Sequence, residues 1–371
     1  MRWPAFVAGR GVLCGFGTGL EVFVDSVFGG RQALLPRART APFEASTKVA
    51  AEYPADSLPG VSPLDLPRAA AVCAGQQALA EAGVRDASGI GLVLATTKAE
   101  MTGLMGEGNG YALPIRLARR VAADLGLGCV HAAVSSACAS GLTALALAER
   151  RIRRGEVERV LVVGADALNA STLAGFGGMH ILDPEPCRPF DMGRRGLSLG
   201  DGAGAILLSR HESESVGLRV AGHGGANDAI HVTGCDRTGG GLRRAVQRAL
   251  DDAGLQSSDL DLVQLHGTGT VANDASEALG LVAAFGGRTA PAFGIKAQTG
   301  HTLGAAGIIE SLAAMAALQR QEVPANIGLE EPGVDPQLEL VRENMAVPGA
   351  RRVLKVNGGF GGVQQAMVFE A

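Results

Sequence analysis

Short apolar runs alternate along the chain with longer segments in which apolar residues recur every three or four positions. The short runs predict buried strands, and the longer segments predict helices with one apolar face. We predict strands at Ala5–Cys14, Ile90–Thr97, Val157–Gly164, Ala205–Leu208, Leu218–Gly222, Leu260–His266, Ala292–Ala297, Arg352–Val356 and Ala366–Glu370. We predict helices at Leu20–Gly30, Pro67–Gly83, Pro114–Leu125, Gly241–Ala253, Asp274–Phe285 and Leu303–Gln321, and one between Cys138 and Gly155. The alternation is typical of a layered α/β fold in which helices cover both faces of the sheet.

The same alternation occurs twice. The polar segment His211–Val216 is the predicted boundary, and it divides the chain into halves 1–212 and 213–371. Each half contains a strand, a tight turn with a reactive residue and a helix, with Cys138 at one turn and His301 at the other. We therefore expect a structural duplication.

Two glycine-rich motifs stand in the wrong context for the functions that such motifs serve elsewhere. Gly15–Gly19 follows a strand but does not match the dinucleotide-binding fingerprint, and no acidic residue is suitably placed after it. Gly196–Gly200 matches the nucleophile elbow of serine hydrolases, which requires a strand before it and a helix after it. Here the strand Ala205–Leu208 follows, so neither a dinucleotide site nor a hydrolase is favoured.

Composition narrows the class of protein further. Of the 371 residues 47% are hydrophobic and 19% charged, which favours a large folded core over disorder. The net charge of −4 argues against a nucleic-acid-binding surface. The six cysteines form no pair at metal-binding spacing, as in a reduced intracellular protein without structural zinc. We find neither a signal-peptide pattern nor a run long enough to span a membrane, and we expect a cytoplasmic protein.

Cys138 lies at the start of a predicted helix, after a short apolar run and the residues Ser135 and Ser136. The unpaired N–H groups and the positive end of the helix dipole favour the thiolate, which is the nucleophilic form. The alternative is a small buried core cysteine without a chemical role. His266 and His301 each follow a buried strand and enter a Gly/Thr turn, where their side chains can reach a shared cleft. A cysteine with two such histidines forms a candidate acyl-transfer site.

Five motifs in order carry a family resemblance. These are SSACASG around Cys138, PFD followed by GDGAG, HGTGT with ND, KAQTGHTLGAAG with Glu310, and a C-terminal GFGG. Over nearly the whole chain the sequence resembles elongating β-ketoacyl-(acyl-carrier-protein) synthases of the thiolase superfamily. Thiolases have a Cys–His–Cys set and initiating synthases a Cys–His–Asn set, whereas this chain has histidine at both later positions.

The resemblance implies a thiolase-like αβαβα fold and decarboxylative condensation of an acyl group on Cys138 with a malonyl thioester. It implies as catalytic residues Cys138, His266, His301, Lys296 and Glu310; as oxyanion or gating residues Cys138 and Phe360; and as substrate-binding residues Thr268, Thr270, Gly359 and Gly361. Lys296 and Glu310 are expected to pair and to orient the histidine. Threonines 268 and 270 have an alternative role in capping the following helix. No metal or bound cofactor is implied, because the substrates are carried on the phosphopantetheine of acyl carrier protein.

Acyl carrier protein is the expected partner, together with a second copy of the chain in a homodimer; pairing with an inactive homologue is the alternative. Because carrier proteins are acidic, Arg119–Arg120 and Arg150–Arg154 are candidate docking residues, although an exposed charge run is more often only solvated. The run after Val356 has glycine where the family has an aromatic residue, and Ala297 stands where serine is common. Two other functions stay open: a non-catalytic partner subunit resembling a chain-length factor, and an acyltransferase that does not decarboxylate.

Overall fold

A computed structural model describes residues 3–43, 45–99 and 113–371 of the protein. The strands are β1 (Ala5–Cys14), β2 (Gly17–Thr18), β3 (Leu35–Pro36), β4 (Val49–Ala50), β5 (Gly91–Ala95), β6 (Cys129–Val134), β7 (Arg159–Asp166), β8 (Gly202–Ser209), β9 (Arg219–Asn227), β10 (Leu262–Gln264), β11 (Ala292–Phe293), β12 (Glu322–Val323), β13 (Met345–Ala346), β14 (Arg352–Gly359) and β15 (Val363–Glu370). The helices are α1 (Leu20–Phe28), α2 (Leu66–Glu81), α3 (Pro114–Asp124), α4 (Ser140–Arg153), α5 (Ala170–Gly178), α6 (Gly240–Ala253), α7 (Val271–Phe285), α8 (Lys296–Thr299) and α9 (Ala306–Arg320).

Strand order shows the duplication directly. The long sheet runs β11-β10-β14-β15-β9-β1-β8-β7-β5-β6, with five strands from each half of the chain. If the five strands of each half are numbered along the chain, both sets lie in the order third, second, fourth, fifth, first from the edge of the sheet to its middle. The pairing directions repeat as well: β5 lies parallel to β6 and β7, and β10 lies parallel to β11 and β14. The two sets of strands meet where β1 pairs antiparallel with β9. This is the α/β architecture built from two duplicated halves that the sequence predicts.

Alternate residues of each strand enter different cores, which gives the molecule five layers. Val160 and Val162 of β7 join a central cluster with α4 and α9, while Leu161 and Val163 join an outer cluster with α2 and α3. A third cluster packs α6 and α7 against the outer face of β10, β14 and β15. Strands covered on both faces consist of continuous apolar runs, as observed.

The central helices approach each other closely at two glycines. A Cβ on Gly141 of α4 would lie 2.9 Å from the backbone nitrogen of Ile308, and one on Gly307 of α9 would lie 2.7 Å from that of Leu142. Nearly every residue of α9 is buried, so this helix has no polar face. The start of α4, which follows Cys138, is thereby fixed against the helix that follows His301.

Most predicted elements are present with ends shifted by a few residues, and three predictions need correction. The strand predicted at Ala292–Ala297 ends at Phe293, because Lys296–Thr299 forms a helical turn. The helix predicted from Leu303 begins at Ala306, after a turn of 3₁₀ helix. Helix α5 lies in a segment that we interpret from sequence as an irregular excursion.

The serine-hydrolase motif Gly196–Gly200 lies in the interior and not at a reactive turn. Ser198 is fully buried, its Oγ accepts a hydrogen bond from the Cys187 N–H at 2.9 Å, and strand β8 follows it.

In the part of the chain that the structure describes, no helix is both long and apolar enough to cross a membrane.

Candidate active site

Cys138 lies in a tight turn between β6 and α4. Ala137 has a φ of 50°, a left-handed conformation that is costly for a residue with a Cβ. The Ser140 hydroxyl holds the turn, because it donates to the Ala137 carbonyl at 2.6 Å and accepts the Ser136 N–H at 2.9 Å. The strained turn brings the thiol to a cavity wall, ahead of the first turn of α4.

One cavity of about 200 Å³ is lined by Cys138, His266 and His301 together. Its other walls are formed by Phe176, Met179, Ile181, Leu197, Thr233, Gly234, Cys235, Thr268, Thr270, Ala272, Asn273, Gly358, Gly359, Phe360 and Gln364. The two imidazole rings lie edge to face, with centroids 5.5 Å apart and planes at 85°. The structure therefore brings the three predicted reactive side chains to a common space.

His266 is held so that one nitrogen is defined as an acceptor. Its Nδ1 lies 3.1 Å from the Lys296 ammonium and 2.9 Å from Nδ2 of Asn357. Both groups are donors, so Nδ1 carries no proton and Nε2 carries the hydrogen. Burial and the neighbouring lysine charges hold the pKa of His266 well below its usual range. The imidazole is therefore neutral and offers one N–H donor.

The backbone around His266 is fixed from α7. Glu277 accepts the N–H groups of His266 at 2.6 Å and Gly267 at 2.9 Å, and Asp274 accepts those of Thr268 at 3.0 Å and Phe190 at 2.7 Å. Burial raises the pKa of Glu277 to about 7, against the opposing effect of these hydrogen bonds. The two carboxylates anchor the turn that follows β10.

His301 is positioned by its main chain. Its N–H donates to the Ser198 carbonyl at 2.7 Å, and its carbonyl accepts the Gly200 N–H at 3.1 Å. Asp166 holds the following residues by accepting the Gly304 N–H at 2.8 Å. Burial, with the lysine charges, keeps the pKa of His301 well below its usual range, and Nδ1 has no hydrogen-bond partner among the residues described.

Lys296 and Glu310 form an ion pair, as predicted, but they lie behind His266 rather than in the cavity wall. The Lys296 ammonium also donates to the His266 carbonyl. A second lysine, Lys355, lies 2.7 Å from the other oxygen of Glu310. Glu310 is thus shared by two buried ammonium groups, and the histidine that Lys296 contacts is His266.

The surroundings of the Cys138 thiol oppose the thiolate that the sequence analysis favours. Burial raises its pKa to about 12, and the charge of Lys296 offsets only part of this. Helix α4 begins two residues later, at Ser140, so the cysteine precedes the first helical turn. Loss of the thiol proton must therefore accompany attack. Among the two cavity imidazoles, His266 has Nδ1 occupied by two donors, so His301 is the candidate base.

Phe360 lines the cavity and stacks on Phe176, with ring centroids 5.8 Å apart. Gly359 brings the Phe360 backbone beside the nucleophile, because a Cβ there would lie 3.1 Å from the Ala139 nitrogen. Gly361 lies outside the cavity wall, with a φ of 80° and an N–H that donates to Val232 at 2.7 Å.

Thr268 and Thr270 both line the cavity, with hydroxyl oxygens 2.9 Å apart. Thr270 precedes α7, yet its side chain makes no capping hydrogen bond, so helix capping is not what its hydroxyl does in this structure. Asn273 lines the same cavity, and the Thr268 hydroxyl also lies 3.4 Å from Asp274.

Several residues of the site were not predicted, among them Phe176, Glu277, Lys355 and Asn357. Phe176 lies on the unpredicted helix α5. A polar residue inside an apolar strand was the available signal for Lys355 and Asn357, since buried lysines are rare unless paired. Glu277 carries a comparable signal as a buried acid on α7.

The basic run at Arg150–Arg154 is largely engaged within the chain. Arg150 donates to His223 at 2.9 Å, Arg153 pairs with Asp252 at 2.5 Å and with Glu149, and Arg151 lies 3.3 Å from Glu156. Such pairs indicate a structural role for these arginines. Arg119 and Arg120 are exposed on α3, and Arg120 lies 3.1 Å from Asp65. The docking role predicted for these two arginines stays a prediction.

The fold and sequence both match known proteins. A solved structure titled "The ishigamide ketosynthase/chain length factor" superposes with a TM-score of 0.90 at 27% identity, over 100% of both chains. Nodulation protein E of Rhizobium meliloti (strain 1021) is 32% identical over 400 residues, 98% of each chain. The 3-oxoacyl-[acyl-carrier-protein] synthase 2 of Vibrio harveyi is 33% identical over 316 residues, 78% of this chain and 75% of that one. Other curated relatives align over as little as 64% of their own length.

The thiolase-like fold and these relatives define a condensing enzyme. Residues 7–214 match the family description "Beta-ketoacyl synthase, N-terminal domain", and residues 218–330 match "Beta-ketoacyl synthase, C-terminal domain". The chain belongs to the β-ketoacyl synthase family.

Proposed function

We propose that the protein condenses an acyl group, held on Cys138, with malonyl-acyl carrier protein to give β-ketoacyl-acyl carrier protein. The observation that carries the proposal is the single cavity shared by the thiol and two neutral imidazoles. We assign the pathway only as fatty acid, polyketide or polyene synthesis.

In the first step the Cys138 sulfur attacks the carbonyl of an incoming acyl thioester. A carbon–sulfur bond forms to Cys138, and the carrier thiol leaves with the proton that the cysteine has lost. The backbone N–H groups of Cys138 and Phe360 are the proposed donors to the tetrahedral oxygen. Because the resting thiol is protonated, this step depends on an imidazole that accepts the proton in transit.

In the second step the malonyl carboxylate leaves as CO2, and its bonding electrons form an enolate on the thioester. His266 and His301 donate hydrogen bonds to the enolate oxygen as its negative charge develops. The enolate carbon then attacks the acyl carbonyl on Cys138, and the bond from that carbonyl to the cysteine sulfur breaks. The sulfur leaves as a thiolate and takes up one proton from solvent, which restores the resting thiol. Neutral imidazoles suit this work, since each gives a donor without the cost of burying a further charge.

The proposal also covers the binding of the carrier arm, the division of the chain, its assembly and its location. Thr268 and Thr270 bind the phosphopantetheine arm of the carrier protein in this proposal. The reaction needs no other cofactor. We propose a division into halves 1–212 and 213–371, a homodimer, and a cytoplasmic location where carrier protein and malonyl thioesters are available.

A second candidate is a non-catalytic subunit that resembles a chain-length factor and pairs with a ketosynthase. One observation favours it: the fold matches a structure whose title names a ketosynthase and a chain length factor together. Such a subunit needs no nucleophile, so the Cys138–His266–His301 set is unexplained by it.

Acyl loading separates the two candidates. We expect the purified protein to take an acyl group from an acyl-carrier protein onto Cys138, as a mass increase on the peptide that contains it. Cys138→Ala should abolish loading, and Cys73→Ala, on the outer helix α2, should retain it. A wild-type protein that neither loads nor decarboxylates malonyl-carrier protein would favour the non-catalytic subunit.

A further inference from the structure

The Lys355 side chain is buried completely and has no part in the reaction as proposed so far. Its ammonium donates to the carbonyls of Val356 at 2.6 Å and Leu265 at 3.2 Å, and it lies 2.7 Å from Glu310. Three oxygens therefore surround one charged nitrogen, at a position on β14 between two apolar residues.

One carboxylate contacts two ammonium groups at this place: Glu310 lies between Lys296 and Lys355. Glu277 is a further buried acid near Lys355, but it forms no ion pair with it among the residues described. A buried charge that is not fully compensated destabilises the folded state. An apolar side chain would fill the same strand position without that cost. The presence of Lys355 therefore points to a contribution other than stability.

Contacts lead from Lys355 to His266 by two routes. One is the Leu265 carbonyl, immediately before the histidine in the chain. The other passes through Glu310, which accepts a hydrogen bond from Asn357 at 3.2 Å; the same Asn357 amide lies 2.9 Å from His266 Nδ1. The positive charge of Lys355 also acts to keep both imidazoles neutral.

We propose that Lys355 is a positioning residue: its ammonium fixes Glu310 and the Leu265 carbonyl, so that His266 stays neutral and presents Nε2–H to the cavity. This inference rests on the proposed condensation and assigns a new residue to its decarboxylation step. Acyl loading of Cys138 does not use that donor and is independent of Lys355.

The pH dependence follows from the groups that face Lys355. These are Glu310 on α9, Lys296 on α8, Glu277 on α7 and the two cavity histidines. Burial lowers the pKa of Lys355 to about 8, while Glu310 acts against this shift. As pH rises through that value the ammonium loses its proton and its hold on Glu310. Decarboxylation should therefore fall on the alkaline side. Burial raises the pKa of Glu277 to about 7, so this acid titrates in the same range, and the Lys355 variant is needed to assign the alkaline fall.

The test compares wild type with Lys355→Met, which keeps side-chain length and removes the charge. Lys48→Met, at an exposed lysine, is the matched control. Three quantities are measured: malonyl-carrier decarboxylation from about pH 6 to pH 10 with kcat and KM separated, acyl loading of Cys138, and thermal unfolding. We expect Lys355→Met to lower kcat roughly tenfold or more, as loss of a group that orients an imidazole does, and to leave KM and loading little changed. Its residual activity should lack the alkaline fall seen in wild type.

Each outcome has one meaning. A Lys355→Met protein with wild-type kcat, or with the same alkaline fall, overturns the positioning role while the condensation stands. Loss of folding in this variant also overturns it, because the role would then be structural. A wild type that neither loads nor decarboxylates overturns the proposed function itself.

Discussion

At the scale of single residues the site is defined by which protons its side chains hold. His266 accepts at Nδ1 from Lys296 and Asn357, so its remaining nitrogen is a donor. The pKa of Cys138 is raised to about 12, so the sulfur is a thiol until it reacts. The neutral thiol and neutral imidazoles suit side chains that are buried, since an unpaired charge is costly there.

Replacement of His266 tests the donor role. We expect His266→Ala to reduce malonyl decarboxylation by about 10²–10³-fold, the cost of one preorganised oxyanion donor. Acyl loading of Cys138 should fall much less, because the first step uses other donors. Steady-state decarboxylation and loading by mass spectrometry give the two numbers, with His211→Ala, at a half-buried histidine outside the cavity, as the control. Equal losses in both steps would contradict the assignment of His266 to the enolate.

At the scale of elements, the position of the Cys138 thiol depends on how closely helices α4 and α9 pack. Gly141→Ala would place a Cβ 2.9 Å from the Ile308 backbone nitrogen, so the helices must separate. We expect a loss of about 1–3 kcal/mol in the free energy of unfolding, typical of an overpacked core. Gly175→Ala, in α5, meets no atom within 4 Å and should be neutral or stabilising, since alanine favours helix. Denaturant unfolding of both variants checks the contrast, and an unchanged Gly141→Ala protein would show that the contact is not tight.

Sequence patterns predict the helices and strands that have continuous or periodic apolar residues. They miss residues whose role depends on contacts with parts of the chain that are distant in sequence. The strand at β1 and the helix at α6 have periodic apolar residues, and their predicted bounds agree closely with the structure. Helix α5 has four glycines or small residues near Phe176, a composition that resembles a loop. Lys355 and Asn357 belong to an apolar strand, and only the pairing of β14 with β10 brings them beside His266. Cys138 and His266 were predictable because each follows a strand, whereas His301 follows the helical turn α8 and not the strand that the sequence predicts. The partners that support these residues come from other elements.

At the scale of the molecule, the two duplicated halves share one central hydrophobic core. The central cluster combines β7 and β8 from the first half with α9 and β14 from the second. Gly202 shows how close the contact is, because a Cβ there would lie 2.6 Å from Ile309 of α9. The cavity has the same origin, with Cys138 from one half and both histidines from the other.

A fragment that ends at residue 212 therefore exposes the face of its sheet that α9 covers in the intact chain. That face is continuous and apolar, and nothing in the fragment replaces the thirteen buried residues of α9. We predict that fragment 1–212 alone shows no cooperative unfolding transition by circular dichroism, and that the intact chain unfolds in one transition. Co-expression with fragment 213–371 should restore a folded complex, because the missing helix and its sheet are then supplied in trans. A fragment 1–212 that unfolds cooperatively on its own would contradict this prediction, because α4 and the outer helices would then suffice to fold the first half without α9. The central layer would in that case be an interface between two folded domains rather than their common core.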